Sequence, residues 1–553
     1  MTPSRPKALR GRGAMGNGAA PVLLAASGLL LVVCLPLLLA PQLPLVDMPA
    51  HLARLEIIEQ LLNGGPLAEV YEFAPGLVPN LLFDGIGWLL LQIVPVEPAG
   101  AIYLVLALAA QLFGTVLLHR SLHGRYRFWP LIAALLLYNL TFSYGYLSYL
   151  AGVGLTLLSL ALWVSLRDGS PLLRLALGSL AAVLLFLAHI VPLIVYAAAI
   201  CGYELQRAAG LRHRPWAALA GLGAGALQFA LPAMLFFRQT ATAGLAGEAI
   251  AYRPETKIAS LIAAPTSGIE GLDVAVLIAT AFVALLAPFA FRFRFAPASR
   301  GALACVLLAF VLMPWGIGPA VNLDVRMPLA LMLIGIAATD VGMKPGRTVL
   351  AASLFGMVAL VLLARTVGVG AQAASFADLL AQYRSAFQQL PADAVLFTGL
   401  TGRCPRTAAD GGGCVDPHRE RDAFGLGATL RLLYPEIYRT RLEMPRHIAA
   451  LATIERGVFV PQIFATRGLQ PIAVRPSLQT LRTLQGENPM VIATDAEMAA
   501  TSARLLEEAE NALPGRPVFL LQQRIEGAVD PAPAGAAVVA RGPQFTLYRL
   551  SPP

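Results

Sequence analysis

Two patterns of apolar and polar positions divide the chain. Apolar runs fall at 21–40, 98–118, 128–142, 146–166, 171–188, 190–204, 215–237, 272–291, 301–319, 326–342 and 347–366. Most are about as long as a helix that crosses a hydrocarbon core, while 128–142 and 190–204 are short for it. A further run at 81–94 is interrupted by Asp84 and Gly85 and reads as a re-entrant or surface segment. From residue 370 the pattern changes. Short apolar stretches (Ala394–Phe397, Pro517–Leu521, Ala537–Ala540, Phe545–Tyr548) alternate with amphipathic ones at 375–390 and 497–512, which predicts a small α/β domain. The expected fold class is therefore an α-helical polytopic membrane protein of roughly eleven spans with a C-terminal α/β extracytoplasmic domain.

Composition supports the membrane reading. The 553 residues are 57% hydrophobic and 13% charged, with a mean hydropathy of +0.68; a water-soluble fold cannot hide that much apolar surface. The net charge of +9 is spread over short segments between runs, and no basic stripe interleaved with aromatics points to nucleic acid. Counting spans from an inside N-terminus places 119–127, Arg167, 207–214, 292–300 and 344–347 on the same side, as the positive-inside rule requires. The expectation is a bacterial inner-membrane protein. It has a cytoplasmic tail at 1–20, a multi-span unit at 21–369 with a first outer loop at 41–97, and a periplasmic domain at 370–553. The first run is long for a signal peptide and is read as an uncleaved anchor.

Chemistry concentrates where the first outer loop begins, in Asp47-Met-Pro-Ala-His51-Leu-Ala-Arg54. On a helix Asp47, His51 and Arg54 share one side, beside an apolar face of Leu52, Leu55 and Ile58, so a helix lying on the membrane surface is expected. Other polar residues at outer helix ends are Tyr144, Tyr146, Tyr149, His189, Arg253, Lys257, Asp324 and Arg326. Ionisable groups at membrane depth are costly and mark sites. Each also has a structural reading: Asp47 as a helix N-cap, His51 and His189 as hydrogen-bonded packing residues, Asp324 and Arg326 as a local ion pair, the tyrosines as an interfacial belt. Cys404 and Cys414 in a Gly-rich loop suit a disulfide in an oxidising compartment. Walker A, Rossmann, His-Glu-x-x-His and Gly-x-Ser-x-Gly signatures are absent, which argues against ATP coupling within the chain.

The arrangement resembles the type C membrane glycosyltransferases: one span, an acidic residue just after it, many further spans and, in some members, an extracytoplasmic C-terminal domain. It is also similar to bacterial membrane proteins with an Asp-x-Pro-x-His-like stretch at this place. The resemblance implies transfer of a sugar from a polyprenyl-phosphate donor to an envelope glycan, lipid or protein at the outer face. Asp47 then corresponds to the first-loop acid, as base or metal ligand. Met48 stands where some members carry a second acid, and no Asp-x-Asp or Trp-Trp-Asp motif occurs. Chemically, a carboxylate serves as base for an attacking hydroxyl. Arg54, Arg253 and Arg326, with Lys257 as a point charge, are candidates to hold the departing phosphate; His51, Tyr146, His189 and Asp324 complete the candidate substrate site. His51 beside Asp47 could orient the carboxylate or share a divalent metal, but two ligands name no metal. The competing readings are a non-catalytic scaffold or polysaccharide-export partner, and a flippase or transporter for a lipid-linked substrate.

Overall fold

A computed structural model describes residues 18–551 apart from 41, 75, 212, 243–248, 255, 319, 402–445, 493 and 525–535. Cys404 and Cys414 lie outside the described residues. The protein is mostly helical. Among the described residues, seven helices are long and apolar enough to cross a membrane: Ala19–Leu39, Val96–His123, Leu147–Ser165, Pro171–Ala188, Pro215–Arg238, Gly271–Ala290 and Thr348–Phe387. Their ends follow local chemistry. Val96–His123 has Glu97 in its first turn and Arg120 and His123 in its last, complementing the helix dipole, and stops at Gly124 with φ +72°. It packs against Leu147–Ser165 where Gly114 and Gly154 leave room; a Cβ on Gly154 would lie 2.5 Å from that of Ala110.

Four of the expected spans differ from that regular picture. The runs at 301–319 and 326–342 hold helices of only 13 and 12 residues, Arg300–Leu312 and Met327–Ala338. Each is followed by strand, so neither is a span-length helix. The run at 190–204 is part of a 21-residue helix, Ile190–Gly210, longer than its apolar stretch because its last turns are polar. The run at 128–142 is not an α-helix at all: a 3₁₀ helix, Trp129–Leu136, gives way to a turn and a four-residue helix, Leu140–Ser143. Its two ends nonetheless reach opposite ends of the bundle, since the Trp129 indole donates to Ile336 O at 3.1 Å while Tyr144 O accepts from Asp47 N at 3.0 Å. Such a crossing frees carbonyls that lipid cannot satisfy. Arg365, 1% exposed, supplies the donors from the last long helix, to Leu135 O at 2.8 Å and to Tyr138 O.

The 16-residue helix Met48–Asn63 organises the rest. It is not a surface helix, for both of its sides are covered. Met48, Leu52 and Leu55 belong to the core of the helical bundle. Ala50, Ala53, Ile57 and Ile58 belong to a second core shared with the C-terminal residues. Pro49 sits in its first turn and Gly64, at φ +68°, ends it. Beyond it Tyr71–Phe73 pairs antiparallel with Ile472–Val474, and Arg384 bonds both Glu97 and Glu455. The C-terminal region is built on a five-stranded sheet ordered Ala536–Gly542, Phe545–Leu550, Val518–Arg524, Val395–Thr401, Met490–Val491. The Val518–Arg524 and Val395–Thr401 strands are parallel, with Val518 opposite Val395. The helix Thr348–Phe387 runs unbroken for 40 residues from the bundle into this region, so no change of element marks residue 370.

Candidate functional site

Asp47 occupies the N-cap position of the Met48–Asn63 helix, yet its side chain makes no capping bond. The carboxylate, 17% exposed, turns instead toward His447, with Oδ1 3.6 Å from Nε2. Its backbone is held by the turn between two bundle elements. Asp47 N donates to Tyr144 O, and Gly145, at φ +75°, lies so close that a Cβ there would stand 3.1 Å from Asp47 N. Only glycine meets both demands cheaply. This turn also presents Tyr144 and Tyr146 as a parallel stack, ring centres 5.2 Å apart, and Asp47 is near enough to act on the Tyr146 hydroxyl electrostatically.

Tyr146 leads to a cationic group. The Arg326 guanidinium lies 4.1 Å over the Tyr146 ring, and Asn322 Nδ2 donates to the Tyr146 hydroxyl at 3.4 Å. Arg326 Nη1 is 2.7 Å from His189 Nε2, while Tyr149 donates to Arg326 O. His189 Nδ1 lies 3.1 Å from the Val191 N–H at the start of its helix. A neutral imidazole has one bare nitrogen and cannot accept from Val191 and from Arg326 at once, and Arg326 Nε is buried without a partner among the described residues. An anionic oxygen touching the guanidinium would satisfy it.

The other candidates are engaged elsewhere. Arg54, fully buried, bonds Asp84 Oδ1 at 2.7 Å, Gln470 Oε1 at 2.8 Å and, through Nη2, His51 Nδ1 at 3.2 Å. Its donors point into the protein, so the helical register that aligns it with Asp47 does not bring it to the same cleft. The His51 ring is wedged between Phe83 and Phe464. Burial first, then Arg54 and His447, hold it well below the usual imidazole range, so it is neutral. Lys257 Nζ pairs with buried Asp324 at 2.9 Å, so Asp324 is joined to Lys257 and Arg326 to His189. Arg253 stacks 3.7 Å over Trp315. No three His, Cys, Asp or Glu side chains gather as a cation site among the described residues. With a guanidinium on His51 Nδ1, Asp47 and His51 do not fit a shared divalent metal.

His447 is the residue that pattern reading misses. It lies in a polar stretch, Glu443-Met-Pro-Arg-His447, with no periodic signal. It is brought to Asp47 by the 3₁₀ turn Ile448–Ala450, which packs on the Met48–Asn63 helix. Burial, then Arg446 and Arg482, push its ring down to about 3, so it faces Asp47 as a neutral imidazole. Its ring rests 4.8 Å from that of Phe464. A cleft lined by Pro44, Phe142, Ser143, Ser267 and Gln372 opens just before Asp47 in the chain.

No protein-family profile and no curated protein matches the chain. Among solved structures, it is similar to the single-particle cryo-EM structure of arabinofuranosyltransferase AftD from Mycobacteria, with a TM-score of 0.42 and 16% identity over 97% of this chain. The chain spans 40% of the length of that protein.

Proposed function

We propose that the protein is a membrane glycosyltransferase that moves a sugar from a polyprenyl-phosphate carrier to a hydroxyl of an envelope glycan, lipid or protein, at the outer face of the inner membrane. The observation that carries this reading is the pairing of a largely shielded carboxylate, Asp47, with a guanidinium, Arg326, whose Nε has no partner among the described residues, across one tyrosine. In the reaction the acceptor oxygen attacks the anomeric carbon and its proton passes to Asp47. The bond from that carbon to the phosphate oxygen breaks, and its electron pair leaves with the carrier phosphate. Arg326, held beside His189, binds the phosphate oxygens as charge grows on them. Neutral His447, with Nε2 3.6 Å from Oδ1, packs beside the Asp47 carboxylate and limits the directions it can take. Tyr144 and Tyr146 offer a flat face to the sugar ring. Arg54, Lys257 and Asp324 are scaffold, and Arg253 borders the site.

Loss of a positioned base lowers turnover by about 10²–10⁴-fold. In a deletion strain complemented with Asp47→Asn, the envelope glycan or glycolipid missing from the deletion should remain missing, with the variant at wild-type abundance in the membrane. Restoration of the product by Asp47→Asn would exclude base catalysis by this residue. A scaffold or export partner is the reading that would then stand, and it requires the C-terminal region rather than Asp47.

A further inference from the structure

The end of the bundle remote from Asp47 carries a structure that the proposed chemistry does not use. Phe291–Phe295 and Thr339–Met343 form an antiparallel ribbon, with Arg292 opposite Gly342 and Arg294 opposite Asp340. The sequence Phe-Arg-Phe-Arg-Phe alternates, so the rings fall on one side of the strand and the guanidiniums on the other. The ring side is anchored: Phe293 meets Trp129 edge-on at 6.0 Å and Phe291 meets Phe355 at 5.5 Å. Phe293 and Phe295 still remain 44% and 40% exposed. An aromatic group partly covered by helices and partly open is what sits at the level where acyl chains meet headgroups.

The charged side is unbalanced. One carboxylate, Asp340, is buried and already held by Arg125, with His119 and Arg127 each 3.8 Å away. Arg292, Arg294, Arg300 and Arg347 are all exposed, and among the described residues none of them makes an ion pair. Flexible basic loops would suffice to orient the chain in the membrane. Here the cations are instead displayed on paired strands. The ribbon is tied down by Arg125–Asp340 and by Lys344 Nζ donating to Pro288 O at 2.6 Å.

We infer that this Phe/Arg ribbon is a binding surface for anionic phospholipid headgroups, with Arg292 and Arg294 on the lipid phosphates and Phe293 and Phe295 in the adjoining acyl region. The occupant follows from charge complementarity and from the aromatic residues that set its depth. An arginine near an anionic lipid surface gains about a five-fold preference over a neutral one. Because the attraction is electrostatic it weakens as salt shortens the Debye length.

The test uses the full chain in nanodiscs of phosphatidylcholine with or without phosphatidylglycerol, reading lipids retained after gentle extraction by native mass spectrometry. Wild type should retain phosphatidylglycerol over phosphatidylcholine by at least about five-fold, with a thermal midpoint that rises with phosphatidylglycerol content. Arg292→Gln/Arg294→Gln should lose most of both responses. Arg541→Gln/Arg549→Gln, which removes the same charge from exposed positions of the five-stranded sheet, should keep them. Two outcomes overturn the inference: no lipid preference in wild type, or an undiminished preference in Arg292→Gln/Arg294→Gln. Either would leave the arginines with an orienting role alone.

Discussion

Two arginines on the Asp47 side of the protein are handled in opposite ways. Arg54 is sealed between the helical bundle and the C-terminal region, and Asp84, Gln470 and His51 take its donors. Arg326 sits on a tyrosine face with Nη1 on His189 and, among the described residues, Nε without a partner. Burial with complementary partners makes a charge part of the frame. A charge held in place but left short of acceptors among the described residues is the one that the proposed function assigns to a phosphate. The acids differ too: Asp324 is buried and locked to Lys257, whereas Asp47 makes no capping bond, one worth about 1 kcal/mol, and turns its partly exposed carboxylate toward His447.

Substitutions can break this contrast, and the largest effect is expected at the frame. Arg54→Ala leaves Asp84 buried without its ion pair and should cost about 3–5 kcal/mol of stability, seen as a large fall in the thermal midpoint of the detergent-solubilised protein. Asp47→Asn should move that midpoint hardly at all while removing product; a destabilisation as large as that of Arg54→Ala would show that Asp47 too is frame. Gly145→Ala forces a side chain into left-handed backbone and against Asp47 N, at a cost of about 1–3 kcal/mol. Its loss of product should therefore exceed what its lower abundance explains.

The remaining effect is a dependence on pH. His447 has a folded pKa of about 3, below its unfolded value of about 6.5, so the unfolded chain binds the proton more readily. Its contribution to stability is complete above about pH 6.5 and is lost as pH falls toward 3. His51, depressed by burial and Arg54, acts in the same direction. His447→Gln should flatten the decline of the thermal midpoint between pH 6.5 and 4 relative to wild type. An unchanged slope would mean that His447 does not stay neutral beside Asp47.

Part of this could be read along the chain. The strand positions 394–397, 517–521, 537–540 and 545–548 all lie within or beside strands of the observed sheet, because alternation in short apolar stretches records burial locally. Tyr146, His189 and Arg326 were visible as polar groups at helix ends, and the structure joins them. The break within 128–142 was not visible, since an apolar segment looks alike whether its backbone bonds are internal or are supplied by Arg365. Nor was the covering of the Met48–Asn63 helix on both sides. Its Ala50, Ala53 and Ile57 read as an indifferent flank until a second core was laid on them.

The sequence by itself determined that apolar helices cross a bilayer, that a small sheet follows them, and that an acid opens the first loop, because hydropathy and periodicity are properties of neighbouring residues. Only the tertiary structure decided which charges are spent. Arg54 finds Gln470 416 residues away, Arg326 finds His189 137 residues away, and Asp47 meets a histidine from the far end of the chain. Whether a buried charge is frame or site depends on the partners around it, and packing brings in those partners from positions that no local pattern encodes.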